Sequence, residues 1–182
     1  MNSADGLRQA ILRNVLGVPS DEGLRSAYWL RRAAPAKLSE LEASRCGLLW
    51  LAPVVPLSAG DVGRAVATLE AGLSRRGFEP CLSLQCMTER CAYAVASISY
   101  DRDEPGADER ASACHRELTR ELVAQGFPPY RLSIDAMGVL REQDAPTTRF
   151  AQALRDAADP RRVLAPGRYE AGASRGRRGG RR

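Results

Sequence analysis

The segment Cys46-Gly47-Leu48-Leu49-Trp50-Leu51-Ala52-Pro53-Val54 decides where the regular part of the chain begins. Its apolar run is continuous from Leu48 to Leu51, and it ends at Pro53, which has no backbone N–H to donate. A short continuous apolar run bounded by prolines is typical of a strand that is buried on both faces. The segment therefore predicts a first buried strand near residue 46.

A helix is predicted directly after this strand. Ser58 is a capping residue and Asp61 follows three positions later, as at many helix N-termini. Gly77 supplies a left-handed stop at the far end. Between them one apolar stripe repeats at helical spacing, formed by Val62, Ala65, Val66, Leu69 and Leu73.

The remaining elements follow from the same periodicities. Strands are predicted over 78–87 and 92–100, and another over 130–137. A second helix carries Ala111, Cys114, Leu118 and Leu122 and ends at Gly126, and a last helix covers about 146–158. The order is strand, helix, strand, strand, helix, strand, which predicts an α+β fold: a ferredoxin-like split β-α-β antiparallel sheet with helices on one face.

Two flanking segments lie outside this pattern. Residues 1–45, with helical spacing from Leu7 to Leu16, predict a helical connecting arm, and residues 170–182 predict a disordered Arg/Gly tail. The domain proper is expected over 46–169. The net charge of +5 equals the number of arginines after Glu170, so the tail alone makes the chain basic. This localisation argues against nucleic acid as a partner.

No apolar run approaches the length of a membrane span, and the first residues lack the apolar core of a signal peptide. We therefore expect a cytoplasmic protein without a membrane partner. The chain has five cysteines and one histidine, His115, without metal-ligand spacing. We expect no metal site, and we expect free cysteines that are buried as small apolar side chains.

Four segments together resemble the vanillyl-alcohol oxidase and p-cresol methylhydroxylase family of flavoproteins. The first is the segment from Cys46 to Val54 quoted above, and the second is Ser99-Tyr100-Asp101-Arg102. The third is Gly126-Phe127-Pro128-Pro129-Tyr130-Arg131-Leu132, and the last is Asp159-Pro160-Arg161-Arg162-Val163-Leu164-Ala165-Pro166-Gly167-Arg168. The resemblance extends from Cys46 to Tyr169, and it implies the C-terminal substrate-covering (cap) domain of an FAD-linked oxidase.

The resemblance implies a role for three residues. Tyr130 and Arg131 match the family's Tyr-Arg pair, which holds the oxygen of a para-substituted phenol, so they are the expected catalytic residues. Arg131 and Arg168 are the expected flavin contacts. Adjacent strand residues point to opposite faces, so Tyr130 and Arg131 can share a cavity only where the strand is irregular. The two prolines before them predict such an entry.

The implied function is the substrate-binding part of an enzyme that oxidises 4-alkylphenols by hydride transfer from the benzylic carbon to flavin N5. FAD is expected only together with a flavin-binding domain or subunit, which precedes this region in the family. The chain alone is expected to be inactive. Leu48 stands where one branch of the family links its flavin covalently, and the attachment stays open. A homo-oligomer also stays open, as does the alternative of a non-catalytic ferredoxin-like remnant or dimerisation module.

Overall fold

The computed structural model describes residues 3–19, 21, 37–40, 43–133, 136, 137, 139, 145–166 and 168. Its helices are α1 (Ser3–Val15), α2 (Ala59–Arg75), α3 (Ala107–Ala124) and α4 (Ala145–Ala158), with a short 3-10 turn at Leu38–Glu40. Its strands are β1 (Cys46–Leu51), β2 (Val54–Pro56), β3 (Cys81–Cys86) and β4 (Cys91–Asp101).

Strand β4 is the centre of the sheet, because all three other strands pair with it in antiparallel orientation. Strands β1 and β2 follow one another along one edge, opposite Ala96–Asp101 and Cys91–Tyr93 respectively. Strand β3 occupies the other edge, from Cys81 opposite Ser97 to Cys86 opposite Ala92.

Helices α2 and α3 cover one face of this sheet. The even-numbered residues of β4 from Ala92 to Ile98 are apolar and fully buried beneath them, because alternate strand residues project to the same face. The helices contribute an apolar stripe each, and Gly72 of α2 lies directly against the side chain of Leu118 on α3. The core formed in this way includes Leu51, Val55, Ala65, Leu69, Leu73, Ala94, Ala96, Ile98, Ala111, Cys114, Leu118, Leu122 and Phe127.

The predicted α+β class is confirmed, with a small antiparallel sheet and its helices on one face. The local signals are confirmed as well. The Ser58 hydroxyl accepts a hydrogen bond from the backbone N–H of Asp61 at 3.1 Å, so Ser58 is the N-cap of α2. Gly77 and Gly126, predicted to end α2 and α3, have φ of 77° and 87°, a conformation that costs other residues energy.

Two strand predictions were wrong in part. Strand β1 is not buried on both faces: Trp50 is 61% exposed, because the helices cover one face only. The described residues of the strand predicted over 130–137 do not pair in a strand, and an isolated bridge joins Pro53 to Pro129, just before it. Two consecutive prolines cannot donate to a ladder, and the chain bends at Tyr130 and Arg131. Residues 134, 135, 138 and 140–144 lie outside the described residues.

The flanks are described in part. Helix α1 lies within the expected arm, while most of residues 20–36 and the predicted disordered tail over 170–182 lie outside the described residues. All five cysteines are free, but only Cys46 and Cys114 are buried. The burial expected of Cys81 and Cys86 was wrong, since β3 is an edge strand. Among the described helices none combines the length and apolar character needed to cross a membrane.

The close contact between α2 and α3 gives a stability prediction. A Cβ added at Gly72 would overlap a methyl carbon of Leu118, so Gly72→Ala should lower the free energy of unfolding by about 1–3 kcal/mol. Gly63 of the same helix has nothing within 4 Å of an added Cβ, and Gly63→Ala should raise stability by up to about 1 kcal/mol. Urea unfolding of both variants checks this, and equal effects of the two would contradict the packing described.

Candidate functional site

The face of the sheet opposite the helices carries a cavity of about 560 Å³. The odd-numbered residues of β3 and β4 form the floor of this cavity, because side chains alternate along a strand and these project away from the helix-covered core. Trp50 of β1 and the segment after Pro129 form its sides. The lining consists of Trp50, Ala52, Ser83, Gln85, Met87, Tyr93, Val95, Ser97, Tyr130, Arg131, Leu132 and Ser133.

The segment that carries Tyr130 and Arg131 is tied to the sheet by two backbone hydrogen bonds. Val54 N–H donates to the Pro128 carbonyl at 2.8 Å, and Tyr130 N–H donates to the Ala52 carbonyl at 3.1 Å. Beyond this point the backbone leaves the extended conformation, so the alternation of a regular strand no longer applies. Tyr130 and Arg131 therefore line the same cavity, at the irregular entry that the prolines predicted.

A stacked pair of aromatic rings fixes the position of Tyr130. Its ring lies 4.8 Å from the ring of Tyr93, centroid to centroid, with an angle of 19° between the planes. The Arg131 guanidinium carbon lies 5.7 Å from the centroid of the Tyr130 ring, within the range of a cation–π contact. Tyr93, Tyr130 and Arg131 thus form one cluster, in which the guanidinium is close to the phenol ring.

The polar groups of this cavity have no hydrogen-bonding partner among the residues that the structure describes. This is true of the Tyr130 hydroxyl, the Arg131 guanidinium and the side chains of Ser83, Gln85 and Ser97. Tyr130 is 49% exposed, so the surrounding protein covers only about half of this residue. The cavity therefore presents several hydrogen-bond donors and a positive charge to a ligand that enters there.

Arg168, the other expected flavin contact, does not line this cavity. It lies in the loop after α4, and its side chain is exposed. Asp159 organises that loop by accepting hydrogen bonds from the backbone N–H groups of Val163 at 3.1 Å and Leu164 at 2.7 Å. The Arg155 guanidinium donates to the carbonyls of Leu164, Ala165 and Arg168. The segment that begins at Asp159-Pro160 and resembles the family is thus a turn whose backbone N–H groups donate to its own Asp159 side chain.

Sequence reasoning missed Tyr93 and Trp50 as site residues. Both lie on the face of the sheet that the core pattern leaves uncovered, Tyr93 opposite Val54 and Trp50 opposite Ser97, and that alternation was the available signal. His115 of α3 is buried, and its Nε2 lies 3.2 Å from the Trp50 carbonyl oxygen. His115 therefore joins α3 to β1 on the helix side of the sheet, away from the cavity.

Solved structures of flavoproteins share this fold. A p-cresol methylhydroxylase with substrate bound matches at a TM-score of 0.62 and 27% identity, over 69% of this chain and 24% of that one. A 4-ethylphenol oxidase from Gulosibacter chungangensis, in an isoeugenol complex, shares the fold at a TM-score of 0.60 and 20% identity, over 69% and 25% of the two chains. The chain is homologous to flavoproteins of the p-cresol methylhydroxylase family and corresponds to their C-terminal domain.

Two particular relatives carry the sequence similarity. The 1'-carboxy-chondrochloren decarboxylase of Chondromyces crocatus is 41% identical over 155 residues, which are 85% of this chain and 29% of the relative. The 4-cresol dehydrogenase [hydroxylating] flavoprotein subunit of Pseudomonas putida is 28% identical over 123 residues, 67% of this chain and 23% of the relative. The chain thus spans less than a third of either protein. No family model matches it.

The Asp159 turn gives a prediction with a defined pH dependence. Hydrogen bonds from the Leu164 and Val163 backbone lower the pKa of Asp159 below its ordinary value. A carboxylate with a lowered pKa stabilises the folded state above the unfolded pKa of about 3.9, and this contribution is lost as pH falls through the lower folded value. The protection of the Val163 and Leu164 amides against hydrogen exchange, relative to the intrinsic rate of an exposed amide at the same pH, should therefore fall as the pH drops through that window.

Asp159→Asn should accelerate exchange at both amides about tenfold at neutral pH, because charge-assisted hydrogen bonds are lost. Asp156→Asn is the matched control, since Asp156 pairs with the exposed Arg162 side chain and not with these amides. Unchanged exchange in Asp159→Asn, measured by NMR, would contradict the role given to this carboxylate.

Proposed function

We propose that the chain is the phenol-binding part of an FAD-dependent oxidoreductase that oxidises 4-alkylphenols at the benzylic carbon. The observation that carries the proposal is the position of Tyr130 and Arg131. Their hydroxyl and guanidinium line one cavity and have no hydrogen-bonding partner among the described residues. Such a pair suits the oxygen of a phenol, which can accept a hydrogen bond from each.

The chemistry of the substrate explains why this pair is useful. A phenol with a pKa near 10 is neutral at pH 7, and its oxygen supplies little electron density to the para position. A nearby cation and a hydrogen-bond donor both favour the ionised form. Arg131 would supply the charge and Tyr130 the donor, and each unit of pKa lowering corresponds to about 1.4 kcal/mol of differential stabilisation.

The residues present fit a flavin at one side of the cavity. When bound, FAD would accept the hydride from the benzylic carbon at N5. The open side of the cavity is partly apolar, with Trp50 61% and Met87 51% exposed, which suits a planar ring system. In the proposal Arg131 holds the substrate oxygen near that ring. Arg168, exposed on its fixed turn, is the second cation for a cofactor held by a partner domain.

A flavin-binding domain, on the same or another chain, is part of the proposal. Apolar side chains remain exposed outside the cavity, on α4 and the Asp159 turn: Phe150, Leu154, Val163 and Leu164 are all more than half exposed. Exposed apolar surface of this kind is typical of an interface. The same surface also suits the alternative of a non-catalytic interaction module, and catalysis distinguishes the two.

A second candidate reaction is favoured by the relative from Chondromyces crocatus, whose name describes removal of a carboxyl group. Consider a phenol whose side chain bears a carboxylate on the carbon next to the benzylic carbon. Loss of the benzylic hydride from its phenolate leaves an electron-poor quinone methide. The electron pair of the breaking C–COO⁻ bond then forms a C=C bond, CO₂ leaves, and the phenolate is restored. Tyr130 and Arg131 would hold the oxygen in the same way for both reactions.

The test is reconstitution of the full chain with a flavin-binding domain, followed by turnover of 4-ethylphenol. We expect Arg131→Ala and Tyr130→Phe each to lower kcat/KM by about 100-fold or more, because the charge or the donor that stabilises the phenolate is lost. Arg131→Lys should retain part of the activity.

Arg110→Ala is the matched control, since Arg110 pairs with Glu104 in the turn before α3 and lies outside the cavity. It should leave turnover unchanged. A flavin-loaded complex whose turnover is unaffected by the Tyr130 and Arg131 variants would contradict the proposed roles and leave the interaction module as the better explanation.

A further inference from the structure

We propose that Ser83 and Ser97 form a carboxylate-binding subsite, so that the substrate is a para-substituted phenol with a carboxylate on its side chain. This inference rests on the proposed function, because it takes the phenol oxygen to lie at Tyr130 and Arg131. It adds a second recognition point in the same cavity, which nothing in the sequence resemblance assigns.

The sheet register places Ser83 and Ser97 on one side of Tyr93, while Gln85 lies beside Tyr93 itself. Gln85 lies opposite Tyr93, Ser83 opposite Val95, and Cys81 opposite Ser97. Directly opposed residues of antiparallel strands project to the same face, so all three side chains line the cavity floor. Ser97 is four residues beyond Tyr93 along β4, about 13 Å at the rise of an extended strand.

A ligand of matching length would occupy this floor. Tyr130 stacks on Tyr93, so the phenol end is fixed at one end of the row of odd-numbered residues. A para side chain of two or three carbons then extends along Val95 toward Ser83 and Ser97. The apolar Val95 side chain would contact the alkyl portion, while the two hydroxyls would contact its terminus.

The chemistry of the lining favours a negative terminus. The hydroxyls of Ser83 and Ser97 offer hydrogen-bond donors, and a carboxylate accepts at about four positions. These side chains have no partner among the described residues, so they need not break an existing hydrogen bond to bind it. Arg131 is the charged side chain in the described lining, so the electrostatic potential in the cavity favours an anion.

A pair of probes that differ only in the terminal group of the side chain, a carboxylate or a primary amide, tests the inference without a cofactor. They are 3-(4-hydroxyphenyl)propanoate and its neutral analogue 3-(4-hydroxyphenyl)propanamide. Trp50 lines the cavity and reports binding by fluorescence, and Trp29→Phe makes it the sole tryptophan of the full chain. We expect the propanoate to bind about tenfold tighter than the propanamide at pH 7, because its hydrogen bonds are charge-assisted.

Two variants test which side chains cause the preference for the propanoate. Ser83→Ala combined with Ser97→Ala should remove most of the preference for the propanoate and leave propanamide binding within about twofold. Ser99→Ala is the matched control: Ser99 lies on the same strand and face but outside this cavity, and the preference should remain.

The outcomes separate this inference from the function on which it rests. Equal binding of the two probes, or a preference that survives in the double serine variant, would overturn the carboxylate subsite alone. Phenol binding that is weakened by Arg131→Ala would still support the proposed function in that case. If neither probe binds, or if Arg131→Ala changes neither affinity, the phenol site itself is wrong and the subsite with it.

Discussion

The alternation along strand β4 is the constraint on which the rest of the molecule depends. Its even positions Ala92, Ala94 and Ala96 are small enough for α2 and α3 to pack closely against one face. Its odd positions then have to project to the other face, where no described helix covers them. The same eleven residues therefore build the core and the floor of the cavity. A bulky residue at an even position would separate the helices, and a helix over the odd positions would close the site.

Much of this arrangement follows from local sequence signals. The cap at Ser58, the left-handed glycines at 77 and 126 and the apolar stripes of α2 and α3 depend on near neighbours, so periodicity and capping rules found them. The strand predicted after Pro129 failed for a local reason that outweighed its alternating pattern: prolines cannot sustain a ladder. The stacking of Tyr93 on Tyr130 joins residues far apart in sequence, and no local pattern encodes it.

The structure brings two of the three predicted site residues together and places the third elsewhere. Tyr130 and Arg131 share a cavity because two hydrogen bonds anchor the segment at Ala52 and Val54, just before the backbone turns. Arg168 belongs to a separate turn fixed by Asp159 and Arg155, and its place beside a flavin stays a prediction. The chain corresponds to less than a third of its curated relatives, so the proposed catalysis requires residues and a cofactor supplied by a flavin-binding domain. The proposed contribution of the chain itself is recognition of the phenol.

The central claim is that Arg131 and Tyr130 stabilise a phenolate, and ionisation of a bound phenol tests it most directly. With 4-nitrophenol as the probe, the phenolate absorbs in the visible range, so its titration can be followed with and without the full chain. We expect the chain to lower the pKa of the bound probe by about one unit or more, and Arg131→Ala to abolish this effect. A bound phenol whose pKa is unchanged or raised would contradict the claim.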